Sequence, residues 1–219
     1  MRMSPVARSQ WAGLVVSLAV AITVIGCDGG NEPSGIYKSA DVDRLVQVAP
    51  VTPGWPPWPQ APESKRAAAE SPEKLAATDA IFAELRRRTA AIKQSDNWAS
   101  DNRWQDGNKL AHLAVAVLDS SADAHLVFAA DNDASRAYGA KYGIVDKAEK
   151  VDGLGDEAWR LWAQGNGSQA TYHWRRDNLV FEVHIHCFGS DCPDTDAAVD
   201  GAARAWADAI DEQARSERG

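Results

Sequence analysis

Residues Leu179 to Cys187 read Leu-Val-Phe-Glu-Val-His-Ile-His-Cys, and from Leu179 onward every second side chain is apolar. A period of two over nine residues specifies a β-strand with one buried face, because successive side chains on a strand point to opposite sides. Leu179, Phe181, Val183, Ile185 and Cys187 then belong to the core, while Glu182, His184 and His186 share the other face. The first face fixes the fold, and the second holds the ionisable groups.

The preceding Asp177-Asn178 suits a two-residue turn, since both residue types tolerate a positive φ. Pairing across that turn places Tyr172 and Trp174 beside Phe181 and Val183, and puts Thr171, His173 and Arg175 on the face of Glu182, His184 and His186. Gly165-Asn166-Gly167 turns an earlier hairpin, whose first strand covers residues 157–163. Upstream, Gln105-Asp106-Gly107-Asn108 separates two strand-like runs, an Asp-Gly hairpin signal. Val42 to Val51 is expected to add a short strand.

Helical spacing recurs three times. Ser71-Pro72 opens a helix carrying Leu75, Phe82, Leu85 and Ile92 on one side. Ser120-Ser121-Ala122-Asp123 resembles a capping box, although the polar triplet Asp131-Asn132-Asp133 counts against an unbroken helix behind it. Pro193-Asp194 starts the last helix, with Val199, Ala203, Trp206 and Ile210 facing inward. The expected fold is α+β, an antiparallel sheet of about five strands with three flanking helices.

The N-terminus has a different character. Arg2 and Arg8 precede an apolar stretch from Trp11 to Ile25, and Gly26-Cys27 follows, so residues 1–26 read as an export signal. The apolar run is short of the ~20 residues that span a bilayer. Val24-Ile25-Gly26-Cys27 resembles the lipobox of bacterial lipoproteins, which implies a diacylglycerol on Cys27 and cleavage just before it. Residues 27–44 are then the lipidated Cys and a flexible tether, and 45–216 a single domain with a Pro/Trp-rich lead-in over 45–62. Within that lead-in, Trp55 and Trp58 are either a ligand platform or packing over the rim of the domain. The expected location is the extracytoplasmic face of the cell membrane.

Removing residues 1–26 takes away Arg2 and Arg8 and no acid, leaving 21 Lys and Arg against 31 Asp and Glu, a net charge of −10. An acidic surface repels phosphate backbones, so nucleic acid is not an expected partner. With Cys27 consumed by lipid, Cys187 and Cys192 remain as an even pair, and export favours a disulfide between them.

Two functional readings follow. The first is a non-catalytic binding or sensing module of the cell envelope, with an envelope ligand or protein as its partner. The second is a metal-binding protein or metal-dependent enzyme holding zinc or copper through His173, Glu182, His184 and His186, with Arg160 orienting an anion. A His-x-His pair with a third ligand on the next strand brings Cβ atoms within ~5 to 7 Å of one another. Arg160 joins that face if Gln164 pairs with Gln169. The plain alternative is an amphipathic sheet face whose polar side is wet or partly covered. Gly153-Leu154-Gly155-Asp156-Glu157-Ala158 matches G-x-G-x-x-A but leads into a strand rather than a helix, with two acids where a pyrophosphate would lie. No nucleophile elbow, zincin helix or P-loop motif occurs in the sequence.

The stretch Val151 to Trp159, with its Gly-Leu-Gly-Asp-Glu-Ala core, and the Cys-Pro ahead of Ala-Arg-Ala-Trp-Ala-Asp-Ala-Ile resemble actinobacterial cell-envelope lipoproteins and extracellular sensor domains. Pro53-Gly54-Trp55 is similar to them too. The resemblance spans roughly residues 45–212. It implies an antiparallel, PsbP-like sheet with flanking helices and no characterised activity, and it brings no catalytic residues.

Overall fold

The computed structural model describes residues 35–51, 80–90, 92, 98–142, 147–165, 167–188 and 196–218. The alternating run is β6 (Leu179–Phe188), near the middle of a six-stranded antiparallel sheet. Its companions are β1 (Trp98–Asp106), β2 (Lys109–Val117), β3 (Lys147–Lys150), β4 (Glu157–Gly165) and β5 (Gly167–Arg176), in the spatial order β1-β2-β6-β5-β4-β3. Four helices are described: α1 (Ser39–Leu45), α2 (Ala80–Thr89), α3 (Ser121–Tyr142) and α4 (Asp196–Glu217). Among the described residues no helix is long and apolar enough to cross a membrane.

Helices α1 and α4 cover one face of the sheet, where Phe181, Val183 and Ile185 meet Trp174, Trp206 and Ile210, all essentially inaccessible to solvent. Trp174 and Phe181 stack across the β5–β6 pair with ring centroids 4.7 Å apart. Trp206 meets Trp104 edge to face at 5.2 Å and donates its indole N–H to the Val48 carbonyl at 3.0 Å. Helix α3 covers the opposite face, with α2 packed against it. A smaller cluster of Ala116, Leu118, Ala124, Val127, Phe128 and Val180 holds α3 in place.

Two expectations about the N-terminal part change. Val42 to Val51 does not open as a strand: Val42, Leu45 and Val46 are buried at the i, i+3, i+4 spacing of a helix, and the Lys38 N–H donates to the Asp41 carboxylate at 2.6 Å at its start. The tether expected over 27–44 gives way to the fold from Gly35 onward. Tyr37 is 1% exposed, and its hydroxyl donates to the Ala214 carbonyl on α4 at 2.9 Å. The sixth strand, β3, is a short edge piece with every residue exposed, so it has no apolar alternation to announce it.

The two-residue turn at Asp177-Asn178 forms as expected, with Asp177 at φ 52°. Asn178 makes it a junction. Its Oδ1 accepts the Tyr37 N–H at 2.9 Å, and its Nδ2 donates to the Tyr37 and Leu118 carbonyls at 3.0 and 2.9 Å. The Gly-Leu-Gly-Asp-Glu-Ala stretch clasps the same turn. Leu154 is buried, Asp156 N–H donates to the Arg175 carbonyl at 2.7 Å, and the Asp156 carboxylate accepts the Asp177 N–H at 2.7 Å. Gly155 sits at φ 58°, where a Cβ would lie 2.3 Å from the Arg175 carbonyl oxygen. The motif is a structural clasp leading into β4, and no helix follows it.

A buried polar face beneath helix α3

The β5–β6 register sets His173 opposite Glu182 and Thr171 opposite His184, as the turn predicts. His173, Glu182, His184 and His186 therefore do share a face. Helix α3 lies across part of that face: His173 is buried there, while Glu182, His184 and His186 are part-buried.

The mid-helix polar triplet explains how. Helix α3 runs unbroken through it, started by Ser120, whose Oγ accepts the Asp123 N–H at 3.1 Å and donates to the Asp123 carboxylate at 2.8 Å. Asp133 points outward to Arg88 and Arg136, at 2.8 and 2.6 Å. Asp131 and Asn132 point inward and are 1% and 2% exposed. His173, itself 2% exposed, is held between them: Nδ1–H donates to Asn132 Oδ1 at 3.0 Å, and Nε2 lies 3.3 Å from Asp131 Oδ2. Phe128 packs on the same imidazole at 4.9 Å.

Burial decides where the protons are. It pushes the Asp131 carboxyl up to about 7 and His173 down to about 3, because the interior disfavours the charged form of each. The proton shared by the pair consequently sits on the carboxyl. Asp131 O–H faces a neutral imidazole, and the pair is a neutral contact rather than an ion pair. Glu182 is raised well above the ordinary carboxylate range, by burial first and by the neighbouring Asp131 second. His184 is lowered to about 3 by burial and by the adjacent His186 and His112, and His186 is lowered to about 4 by burial.

His184 is fixed from one side only. The Thr171 hydroxyl lies 2.8 Å from its Nδ1, while among the described residues its buried Nε2 has no hydrogen-bond partner. The ring of His186 stands nearly perpendicular to it, with centroids 5.8 Å apart. Directly across β2 is His112, which is 1% exposed and pairs in register with His184. Sequence reasoning passes over His112, although Leu113, Val115 and Val117 on the core parity put it on the polar face. Asp131 and Asn132 also go unpredicted, since a polar triplet inside a helix reads as a weakness and not as a pair of inward contacts.

The expected set of metal ligands does not come together as one group. His173 is committed to Asn132 and Asp131, and among the described residues no group of three or more His, Cys, Asp or Glu side chains could hold a metal ion. Arg160 is also misplaced by the expectation. Gln164 pairs with Ser168 rather than Gln169, and that one-residue slip turns Arg160 to the opposite face, opposite Tyr172. There it pairs with Glu149 and Asp200, at 2.6 Å each. Trp159 takes its place beside His173, under the guanidinium of Arg136 at 4.5 Å. Cys187 is buried at the end of β6, and Cys27, Trp55, Trp58 and Cys192 lie outside the described residues.

No family model matches this chain, and no curated protein matches it. Among solved structures, the extracellular domain of PknH from Mycobacterium tuberculosis is similar over 51% of this chain, at 10% identity and a TM-score of 0.33. The similarity spans 64% of that domain's length, and at this score it carries no argument.

Proposed function

We propose that this chain is a membrane-tethered extracytoplasmic lipoprotein acting as a non-catalytic binding or sensing module of the cell envelope. The observation that carries the reading is the N-terminal sequence, an apolar run behind Arg2 and Arg8 that ends in Val24-Ile25-Gly26-Cys27. The resemblance of residues 151–159 to envelope lipoproteins and sensor domains supports it. The Cys187–Cys192 disulfide belongs to the same reading. Its support is that the two cysteines make an even pair in a chain that carries an export signal.

Intact mass spectrometry of the membrane-extracted protein tests both covalent claims. The expected mass is that of residues 27–219 plus a diacylglycerol, gaining two hydrogens on reduction. Cys27→Ala is expected to abolish the lipid and leave the signal uncleaved. Lipid label that survives Cys27→Ala overturns the anchor, and a mass unchanged by reductant overturns the disulfide.

A further inference from the structure

We propose that helix α3 is a proton-operated latch: it stays seated on the sheet while a proton is held between Asp131 of α3 and Glu182 of β6, and lifts when rising pH removes that proton. The latch deepens the sensing reading by naming the proton as the signal. It rests on that reading for its biological use alone and does not depend on the lipid anchor.

Two acids from different elements flank one imidazole. Glu182 stands in register between His173 on β5 and Ala114 on β2, which sets its Cβ ~4.5 to 5.5 Å from that of His173. Asp131 reaches the same ring from α3, with Oδ2 3.3 Å from Nε2. The ring does not act as a cation between them, because burial keeps it neutral, with Nδ1–H given to Asn132 Oδ1. Among the described residues no N–H or O–H group donates to either Asp131 oxygen, and both oxygens are buried. The basic groups around α3 are turned to other acids. Arg88 of α2 and Arg136 of α3 pair with Asp133, Arg87 pairs with Glu84, and Arg175 of β5 and His125 of α3 pair with Glu157. Arg86 has an interaction of its own. On the sheet, His184 and His112 share the next row of this face and His186 lies beyond them. Burial holds His184 and His186 neutral as well.

With both acids ionised, the seated helix would hold two neighbouring carboxylates and no cation, one of them fully buried and the other part-buried. Desolvation and mutual repulsion both oppose that state. The proton affinities run the same way, with Asp131 raised to about 7 and Glu182 raised well above the carboxylate range, Asp131 being its second cause. The fold lets α3 answer without unfolding. The cluster that seats it, which includes Ala124, Val127 and Phe128, shares no residue with the main core under α1 and α4. A helix held by a small separate cluster opens at a lower free energy than the strands it covers. Lifting returns Asp131 to water and uncovers His173 and Phe128.

Full-length protein in detergent is followed by hydrogen exchange and mass spectrometry from pH 6.5 to about 8.5, with rates corrected for the intrinsic pH dependence of exchange. Below pH 6.5 the lowered histidines favour the open state as pH falls and oppose the acids; above it they are neutral in both states and only the acids count. Peptides from α3 are expected to exchange ahead of peptides from α4 at every pH. Their protection falls by ~4-fold or more across the range, the lower figure being the share of Asp131 alone. Asp131→Asn combined with Glu182→Gln is expected to hold α3 protection constant, whereas Asp133→Asn, which removes an outward acid, keeps the fall. Helices α3 and α4 exchanging together, α3 protection that ignores pH in the parent, or a fall that persists in the double variant overturns the latch. The first two are read on the parent protein, so a variant that fails to fold leaves the test decisive. Any of these leaves the lipid-anchored module standing, since that is decided by the mass of the extracted protein.

Discussion

Replacing Asp131 with Asn tests whether the interior of the polar face is neutral. In the folded protein the Asp131 carboxyl is raised from 3.8 to about 7. The folded state therefore keeps a proton that the unfolded chain releases, and stability falls as pH rises from 3.8 through 7. At 1.36 kcal/mol per pKa unit, the cost is complete above pH 7 and amounts to about 4 kcal/mol, an upper bound that water entry reduces. Asn carries no ionisable proton and sets a neutral amide beside His173 Nε2, which lies 3.3 Å from Asp131 Oδ2. The variant is expected to match the parent near pH 4 and to exceed its stability by up to about 4 kcal/mol above pH 7.5. His173, His184 and His186 act in the opposite sense. Their lowered values remove stability as pH falls below 6.5, and because both proteins carry them, they largely cancel in the difference. Urea unfolding followed by tryptophan fluorescence at pH 4.5, 6, 7.5 and 8.5 gives the difference curve. A variant less stable at every pH by ~3 to 5 kcal/mol would refute the reasoning, because that is the signature of an ionised Asp131 paired with a protonated His173.

Asn178→Ala removes the partners of the Tyr37 N–H and of the Tyr37 and Leu118 carbonyls, three buried groups. At ~1 to 3 kcal/mol for each orphan, the loss is expected to exceed ~3 kcal/mol, read by chemical unfolding. Gly155→Ala and Gly107→Ala both force a Cβ onto a φ of +58°, but only the first meets backbone, at 2.3 Å, whereas the second meets nothing within 4 Å. The expected losses are ~3 kcal/mol or more at Gly155 and ~1 kcal/mol at Gly107, and equal thermal shifts would show that the contact with Arg175 carries no weight.

How much of this was legible follows from which interactions are local. The strand run and the turn at Asp177-Asn178 are neighbours in sequence, so the facing of His173 and Glu182 can be worked out from residue parity alone. The β4–β5 hairpin depends on how many residues its glycine turn consumes, and the difference of one residue sent Arg160 to the wrong face. His112 was out of reach for another reason. Its parity was readable, but β2 pairs with β6 across more than sixty intervening residues, and nothing in either strand names the other as its partner. Asp131 and Asn132 illustrate a third limit, since helix propensity counts such residues as unfavourable while the histidine that justifies them lies on a distant strand. Val42, Leu45 and Val46 carried their helical spacing openly, obscured by the β-branched residues around them.

The junction at Asn178 also has a mechanical meaning. Whatever precedes Gly35 enters the fold beside this one side chain, which ties Tyr37 to the end of β2 and to the β5–β6 turn, while the Tyr37 hydroxyl grips the far end of α4. A pull applied at Gly35 is thus delivered to the two central strands and the C-terminal helix together. The point of attachment behaves as a strain relief of the kind fitted where a cable enters a housing. Tension applied at Gly35 meets the Asn178 junction together with the Gly35 N–H bond to the Asp119 carbonyl.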